Sequence, residues 1–266
     1  MQIIGEKING TRKQVNEAVV DRDGDFIRRL AREQAAAGAD LLDVNAGTTP
    51  DREPDDLVWL VKCVQEEVQV PLCLDSANPV ALADALKHVV GEPMINSING
   101  DRDRLETILP LVVNHKCMVI ALAMDESGIP KSVDDRMNVM RRVFRATREA
   151  GVPDEKVYVD PLIMTVATDT SAGLTALESI RAVRREYPEA HITSGLSNIS
   201  FGLPGRSLIN RTFLTLAMEA GLDSAIVDLT SRELFESLLI TEMLLGRDPF
   251  CRRYTKTFKA GRIGTR

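Results

Sequence analysis

Short apolar runs alternate with longer amphipathic stretches along almost the whole chain. The runs are apolar on both faces and often rich in β-branched residues, which is typical of parallel strands buried on both sides. We predict eight strands from these runs, over residues 2–5, 40–45, 72–75, 94–96, 118–124, 157–160, 192–197 and 224–227.

The stretches between the predicted strands repeat apolar residues at three- and four-residue spacing, as one face of a helix does. Leu57, Leu60, Val61 and Val64 show this repeat, and Gly38 stands where another helical stretch should end. Strand and helix alternate with a period of roughly 30 residues, the size of a βαβ unit. Eight such units fit the chain, and the pattern predicts an α/β fold, the (β/α)8 TIM barrel.

A doubly wound open sheet has the same alternation and is the alternative fold. That fold is expected to carry a glycine-rich phosphate loop after its first strand, and the segment from Glu6 to Gly10 has none. The length of 266 residues also fits one barrel domain. We predict a barrel over 1–246 and a basic C-terminal tail over 247–266, which belongs to the same domain or is partly ordered. The tail is either a solvated surface or a docking segment for an acidic partner.

The composition is that of an ordinary globular protein with an acidic balance. Apolar residues make up 44% and charged residues 27% of the chain, and the formal net charge is −6. This balance argues against a nucleic-acid binder, which needs a basic face to neutralise phosphates. No apolar run reaches about 18 residues and no signal-peptide layout is visible. We therefore expect no membrane association and a cytoplasmic location.

The cysteines and histidines do not indicate a metal site. The four cysteines form no C-x-x-C pair, and His88, His115 and His191 are scattered along the chain. Metal ligands should cluster, so we predict that the chain itself binds no metal.

Polar residues stand at the ends of several apolar runs. Asp75, Asn96 and Asp160 each close a run, and Asn198 follows the seventh. In a parallel barrel these ends meet at one mouth, where enzymes of this fold build their sites. Two carboxylates and two carboxamides suit a flat heterocycle rich in N–H donors and C=O acceptors. They do not suit a phosphate cradle, and no nucleophilic triad is visible.

Each of these side chains has its own expected contact. Asp75 either accepts two N–H bonds from a 2-amino-pyrimidinone ring or caps the next helix. Asp160 precedes Pro161, which keeps the chain extended, and is expected to accept from another edge of the ring. Asn96 both donates and accepts, which suits a mixed ring edge.

The glycine-rich segment 194–206 is predicted to bend over the barrel mouth before the next helix begins. Glycine-rich loops in this place often act as lids or allow a ligand to approach closely. Gly195, Ser197 and Asn198 are the candidate ligand-binding residues of this loop. Arg206 either pairs with a substrate carboxylate or is an ordinary surface arginine.

Several segments along the chain match one known family. The matching segments are Ile3-Ile-Gly-Glu-Lys-Ile-Asn-Gly10, Leu42-Asp-Val-Asn45, Leu72-Cys-Leu-Asp-Ser76, Met94-Ile-Asn-Ser97, Gly128-Ile-Pro-Lys131, Tyr158-Val-Asp-Pro-Leu162, Gly195-Leu-Ser-Asn198 and Leu208-Ile-Asn-Arg-Thr-Phe-Leu214. Together they closely resemble the pterin-binding barrel family. Within it they are most similar to methyltetrahydrofolate:corrinoid protein methyltransferases.

The resemblance implies roles for the candidate residues. In that family, the positions that match the candidates of the third, fourth and sixth strands hold the pterin ring, and the loop after the seventh strand covers the site. Asn198 matches a position near N5 of folate and is the implied catalytic residue. The implied pterin- or folate-binding residues are Asp75, Asn96, Asp160, Gly195, Ser197, Asn198 and Arg206.

The implied reaction is methyl transfer between the cobalt of a corrinoid and N5 of tetrahydrofolate, with methyltetrahydrofolate as the other folate species. The barrel mainly positions the reactants. Demethylation of N5 needs a proton there, and no acid is obvious in the sequence. We hypothesise that Asn198 hydrogen-bonds both protonation states of N5 by flipping its amide. No Asp-x-His-x-x-Gly stretch supplies a corrinoid site, so the corrinoid is expected on a partner protein.

The family resemblance also implies a homodimer that works in anaerobic one-carbon metabolism. The loop 201–205 is closer to relatives in demethylating systems and in cobalamin-dependent methionine synthase than to the acetogenic enzyme. This likeness favours formation of methyltetrahydrofolate and leaves the corrinoid partner open.

Two other functions are the alternatives. Dihydropteroate synthase shares the barrel and the pterin pocket, but that family uses a lysine near the seventh strand and an Arg-x-His near the last. This chain carries Asn198 and Asp228-Leu-Thr-Ser-Arg232 in those regions. The second alternative is a non-catalytic folate-binding partner of a corrinoid protein. The intact set of four polar residues argues against it.

Overall fold

Eight parallel strands form the centre of the molecule in the computed structural model, which describes residues 1–264. The strands are β1 Gln2–Asn9, β2 Leu41–Asn45, β3 Leu72–Asp75, β4 Met94–Ile98, β5 Met118–Leu122, β6 Val157–Asp160, β7 His191–Ile192 and β8 Ser224–Val227. At least one helix follows each strand, as the alternating pattern predicts.

Helices surround the strands on the outside. Within residues 1–264 the α-helices are α1 Lys13–Asp21, α2 Gly24–Ala37, α3 Glu53–Glu67, α4 Pro79–Leu86, α5 Arg102–Asn114, α6 Val133–Glu149, α7 Ala172–Glu186, α8 Arg206–Ala220, α9 Arg232–Leu244 and α10 Arg252–Lys259. The short 3-10 helices are Asp154–Lys156, Leu196–Ser200 and Pro249–Cys251. In this part of the chain, no helix is both long enough and apolar enough to cross a bilayer.

The sheet closes on itself. Its order is β7-β6-β5-β4-β3-β2-β1-β8, with all adjacent strands parallel. Between the two end strands, the Ile226 N–H donates to the Ser194 carbonyl at 2.9 Å, and a parallel bridge joins Gly195 to Ile226. The predicted TIM barrel is confirmed, and the open-sheet alternative is wrong.

The seventh strand is shorter than the sequence predicts. We expected a strand over 192–197, but β7 ends at Ile192 and a 3-10 helix begins at Leu196. The Asn198 N–H donates to the Gly195 carbonyl at 3.2 Å, so this segment satisfies its backbone within a tight turn instead of pairing as a strand. Asn198 therefore lies in a turn beyond β7 and not next to a strand end.

Alternate side chains of the strands point into the barrel. An apolar cluster fills the lower interior and contains Ile4, Leu41, Cys73, Met94, Ile120 and Tyr158. Two positions further along β2, β3, β4 and β6, the side chains point the same way, because the strand repeat is two residues, and they are polar. These polar residues are Asp43, Asp75, Asn96 and Asp160. The larger apolar core lies between the strands and the helices.

The C-terminal basic segment is helical and packs against α9. Asp248 accepts the backbone N–H of Arg253 at 2.9 Å near the start of α10. The Arg253 guanidinium pairs with the buried Glu242 of α9 at 3.0 Å. Ile263 is only 2% exposed. The described part of the segment therefore contacts α9 through this ion pair, and Arg266 lies outside the described residues.

We expect Gly10→Ala to destabilise the barrel. Gly10 follows β1 and packs against the backbone after β2, where a Cβ on Gly10 would lie 1.9 Å from the Ala46 carbonyl oxygen. A backbone atom cannot rotate away, so the two strand exits would have to separate. The free energy of unfolding, measured by urea denaturation, should fall by about 1–3 kcal/mol or more.

The matched control is Gly173→Ala near the start of α7. The nearest atoms to its added Cβ lie at 3.7 and 3.9 Å, which is ordinary contact. Stability should stay within about 0.5 kcal/mol of the wild type. An equal loss in both variants would contradict the steric argument.

Candidate functional site

Four polar side chains of β2, β3 and β4 form a network of two adjacent hydrogen-bonded pairs inside the upper barrel. Asp75 and Asn96 are direct partners in the sheet register. The Asn45 amide donates to Asp75 Oδ2 at 3.0 Å, and the Asn96 amide donates to Asp43 Oδ1 at 3.3 Å. The network places carboxylate and amide groups side by side on one wall of the mouth.

Asp75 keeps one carboxylate oxygen available for a ligand. Oδ2 accepts from Asn45, whereas Oδ1 has no hydrogen-bond partner among residues 1–264. Asn78 is the residue that caps α4, because its Oδ1 accepts the Val80 N–H at 3.0 Å. The helix-cap interpretation of Asp75 is therefore wrong. Burial raises the pKa of Asp75, and the hydrogen bond from Asn45 opposes that shift.

Asp43 is a residue of this network that sequence reasoning missed. It is 3% exposed and pairs in register with Cys73, one layer below Asp75. Burial, and then the charge of Asp75, raise the pKa of Asp43 well above its usual value, although hydrogen bonds from Cys73 and Asn96 partly offset this. The available signal was its place two residues before Asn45, since both residues then face the barrel interior.

Asp160 ends β6 and is 7% exposed. Its Oδ1 accepts the Leu162 N–H at 2.7 Å, and the Gly195 N–H also donates to the carboxylate. Burial outweighs these hydrogen bonds and the nearby Arg136 charge, and raises the pKa of Asp160 to about 6. The carboxylate joins the end of β6 to the segment that follows β7.

Arg104 of α5 holds the loop that follows β3 against the end of β4. Its guanidinium donates to the carbonyl oxygens of Ser76 at 2.9 Å, Ala77 at 2.6 Å and Ser97 at 2.9 Å. Ser76 and Ser97 directly follow the candidate residues of the two strands, Asp75 and Asn96. One half-buried cation therefore fixes the spacing of the two strand ends on this side of the mouth.

Arg136 of α6 does the same for the loops after β5 and β6. This buried side chain donates to the carbonyl oxygens of Pro130 at 3.0 Å, Pro161 at 2.7 Å and Leu162 at 3.1 Å. Neither arginine was identified from the sequence, because no local pattern separates an arginine that binds backbone carbonyls from a solvated one.

Asn198 is exposed in the 3-10 helix that follows β7. A Cβ on Gly195 would lie 3.2 Å from Nδ2 of Asn198, so glycine at 195 leaves room for the amide to fold back on the turn. The Thr165 hydroxyl donates to the Phe201 carbonyl at 2.6 Å and ties the turn to the loop after β6. The turn therefore lies beside the wall that carries Asp160.

Arg206 supports this turn from the start of α8. Nε donates to the Ser200 hydroxyl at 3.0 Å, and Nη2 donates to the Ser197 carbonyl at 2.8 Å. The guanidinium also lies 5.9 Å from the centroid of the Phe201 ring. With Ser197, Arg206 lines a cavity of about 340 Å³ between the turn and the exits of β1 and β8.

The predicted site residues thus fall into two groups. The wall group is Asp75, Asn96 and Asp160, and the turn group is Gly195, Ser197, Asn198 and Arg206. A hydrogen bond between Gly195 and Asp160 joins the groups. Across residues 1–264, no group of three or more histidine, cysteine, aspartate or glutamate side chains could hold a metal ion.

Comparison with known proteins identifies the family of this chain. The family described as pterin binding enzyme matches residues 5–228, which span the barrel from β1 to the end of β8. The chain belongs to the pterin-binding enzyme family. The matched region contains both the wall group and the turn group.

Relatives within the pterin-binding enzymes include methyltransferases. The methylcorrinoid:tetrahydrofolate methyltransferase of Eubacterium limosum is 39% identical over 266 residues, 99% of this chain and 98% of that protein. The methionine synthase of Mycobacterium tuberculosis is 32% identical over 238 residues, which cover 85% of this chain and only 20% of that longer protein.

Solved structures with the same fold are pterin enzymes as well. A Yersinia pestis dihydropteroate synthase with a pterine-sulfa conjugate superposes with a TM-score of 0.71 at 18% identity, covering 92% of this chain and 93% of that one. A Coxiella burnetii dihydropteroate synthase in complex with pteroic acid gives a TM-score of 0.69 at 16% identity, covering 91% and 94%. At these identities the likeness shows the fold.

We expect Asp160→Asn to stabilise this pterin-binding enzyme, and to do so more at neutral than at acidic pH. The pKa of Asp160 is raised to about 6 in the folded protein, whereas that of an unfolded aspartate is about 3.9. Folding therefore favours the protonated carboxyl, and its stabilising contribution is lost as the pH rises from about 4 through about 6. The difference of about two pKa units corresponds to at most about 3 kcal/mol. Urea denaturation near pH ~4 and pH ~7 measures the gain.

The control is Asp169→Asn. Hydrogen bonds from Ser171 lower the pKa of this exposed carboxylate, so its removal should bring no gain at neutral pH. A stability difference between wild type and Asp160→Asn that stays constant between the two pH values would refute the buried ionisation of Asp160.

Proposed function

We propose that this chain is a methyltransferase that transfers a methyl group between the methyl-cobalt of a corrinoid protein and N5 of tetrahydrofolate. One observation carries the proposal: 39% identity along 98% of a methylcorrinoid:tetrahydrofolate methyltransferase. The name of that relative puts the corrinoid on the donor side, which supports formation of methyltetrahydrofolate in a demethylation or one-carbon pathway.

The proposed pterin contacts lie on the wall of polar side chains. The free Oδ1 of Asp75 suits the N–H donors of the 2-amino-pyrimidinone ring, and Asn96 suits an edge that both donates and accepts. Asp160 is proposed to accept from a further ring N–H. The Oδ1 atom of Asn45 is buried without a hydrogen-bond partner in the described chain. Such an acceptor costs free energy unless a ligand or water supplies a donor, which supports a polar ligand at this wall.

Asn198 is proposed to act at N5. An asparagine amide presents either its oxygen or its NH2 group, so it can accept from N5–H or donate to the N5 lone pair. The turn that carries it is held by Arg206 through the Ser197 carbonyl. A side chain held in this way helps to orient N5 for in-line transfer, and orientation contributes several kcal/mol to such reactions.

Dihydropteroate synthase activity is the alternative within the same fold. A solved enzyme of that class matches this chain at 18% identity, far below the 39% of the methyltransferase relative. The turn after β7 also carries Asn198 where the synthases use a lysine. A non-catalytic folate-binding role remains the other alternative, and methyl transfer by the purified chain would exclude it.

A corrinoid protein is the proposed partner, since the sequence carries no Asp-x-His-x-x-Gly stretch to bind a corrinoid itself. The partner must bring its methyl-cobalt to the barrel mouth. We further propose a homodimer and anaerobic one-carbon metabolism, which the family resemblance implies, and a cytoplasmic location, which the sequence pattern favours. The barrel over 1–246 and the segment 247–266 are proposed to act as one domain.

An anaerobic assay tests the proposed reaction. The purified chain is mixed with tetrahydrofolate and methylcob(III)alamin, and absorbance follows the loss of methylcobalamin and the appearance of Co(I). Formation of methyltetrahydrofolate together with cob(I)alamin is the expected result. Binding of tetrahydrofolate without turnover, also after addition of a corrinoid protein, would favour the non-catalytic alternative. If the chain neither binds tetrahydrofolate nor transfers a methyl group, the pterin assignment is refuted.

We expect Asn198→Ala to lower the rate of methyl transfer while leaving tetrahydrofolate affinity nearly intact. The reason is that this amide is proposed to act at N5, whereas the wall group supplies the affinity. The rate should fall by roughly tenfold or more, with Kd within about threefold of the wild type. Both are measured on the same preparation, by stopped-flow absorbance and by calorimetry.

Asp75→Asn is the comparison variant. It removes the charge that is proposed to hold the ring, so Kd should rise by roughly tenfold or more. If Asn198→Ala instead lost affinity and rate in equal measure, Asn198 would be a binding residue and its proposed role at N5 would be wrong.

A further inference from the structure

The proposed reaction releases a proton at N5. As N5 attacks the methyl carbon, the N5–C bond forms, and the cobalt–carbon bond breaks with its electron pair passing to cobalt, which goes from Co(III) to Co(I). The nitrogen, still bearing its hydrogen, becomes positively charged. It must lose that proton to give neutral methyltetrahydrofolate. In the reverse direction the same proton has to be supplied before the C–N bond breaks.

We propose that Glu6 of β1 is the base that takes this proton, an inference that rests on the methyl transfer proposed above. Glu6 lines the mouth cavity of about 340 Å³, and Ser197 and Arg206 of the turn group line the same cavity. Ser197 is the chain neighbour of Asn198, which is proposed to lie at N5. The carboxylate therefore borders the same cavity as the turn that carries Asn198.

Glu6 has one carboxylate oxygen free to accept a proton. Oε1 accepts a hydrogen bond from Arg12 Nη2 at 3.3 Å, whereas Oε2 has no hydrogen-bond partner in residues 1–264. The side chain is 22% exposed, so a proton taken from N5 can pass on to solvent. A base needs both properties, an open oxygen and a route for the proton to leave.

Charges act on Glu6 from the loop after β1, from the residue after β8 and from α8, and Asp43 of β2 is close enough for the charge of Glu6 to raise its pKa. Burial raises the pKa of Glu6 most, Arg12 from the loop after β1 lowers it, and Asp228 after β8 raises it, with Arg206 of α8 lowering it. Lys7 pairs with Asp228 at 3.6 Å. The net effect is a raised pKa, closer to the working pH at which a carboxyl group exchanges protons efficiently.

The other carboxylates near the mouth are engaged elsewhere, and Glu53 accepts a hydrogen bond from the Ser76 hydroxyl at 2.6 Å. Asp75 and Asp160 accept hydrogen bonds from the wall and are proposed to hold the ring. Asp43 lies beneath the wall and is 3% exposed. Both oxygens of Asp228 are engaged, Oδ2 by Lys7 and Oδ1 by the Thr230 N–H and hydroxyl. The glutamate of β1 is therefore the carboxylate best placed to change its protonation state during the reaction.

A structural role for Glu6 makes a different prediction. If Glu6 only anchors Arg12, then removing either partner of that ion pair should have the same effect. Arg12→Leu breaks the contact and keeps the carboxylate, whereas Glu6→Gln keeps the side-chain shape and removes the base. Glu6→Asp keeps the carboxylate on a shorter side chain. These three variants separate the two roles.

The first measurement is the pH dependence of methyl transfer from methylcob(III)alamin to tetrahydrofolate, from about pH 5 to about pH 9. Glu6→Gln should lower the rate by about 100-fold or more and remove the rise with pH that reports ionisation of the base. Glu6→Asp should recover part of the rate and the rise. Arg12→Leu should keep the rise, shifted to higher pH because a positive charge is lost.

The second measurement needs no turnover. Methyltetrahydrofolate is added to the protein without corrinoid, in weak buffer near pH ~6, and an indicator dye reports proton uptake. Wild type and Arg12→Leu should take up a proton as the bound ligand buries the carboxylate further, and Glu6→Gln should not. The Kd for methyltetrahydrofolate in each variant confirms that the pocket is intact.

The outcomes distinguish the two proposals. An active wild type whose pH profile and proton uptake are unchanged in Glu6→Gln would overturn the role of Glu6 and leave the proposed function standing. Equal losses in Glu6→Gln and Arg12→Leu would show that the ion pair is structural. A wild type that transfers no methyl group in either direction would overturn the proposed function, and the inference with it.

Discussion

The site depends on the two-residue repeat of side chains along the inner strands. On β3 and β4 the repeat places Cys73 and Met94 in the apolar interior, and the next inward positions are Asp75 and Asn96. The same backbone ladder therefore fixes both the core and the ligand-facing groups. A shift of one residue in register would turn both sets to the wrong face, so the apolar interior also specifies where the polar groups stand.

This arrangement carries an electrostatic cost. Asp43 and Asp160 are almost fully buried, and burial raises the pKa of each above its usual range. Hydrogen bonds from backbone N–H groups and amides offset the effect of burial only in part. Arg104 and Arg136 donate their hydrogen bonds to loop carbonyls and not to these carboxylates. The mouth is thus a place where stability is given up for a fixed set of acceptors, as is common at functional sites.

The features that follow from strand periodicity could be predicted from the sequence. The features that depend on contacts between distant parts of the chain could not. The barrel and the position of Asp75 follow from the repeat of apolar runs. Asp43 follows from the same repeat, but it was missed because it is not the last residue of its strand. Arg104 and Arg136 act on loops that are distant in sequence, so their partners appear only in the fold. The apolar run after His191 resembled a strand because local pattern does not reveal that a turn satisfies its backbone.

The junction between β7 and β8 is the least paired part of the barrel and carries the turn with Asn198. β7 has only two residues, and Gly195 meets β8 through a single bridge. The turn with Asn198 therefore follows the shortest strand of the ladder, whereas the wall residues lie on strands of four or five residues. Substitutions in this turn disturb few hydrogen bonds of the ladder, because its contacts come from Arg206 and Thr165. A substitution in this segment therefore changes the chemistry next to the proposed ring pocket while the paired strands that carry the wall stay in place.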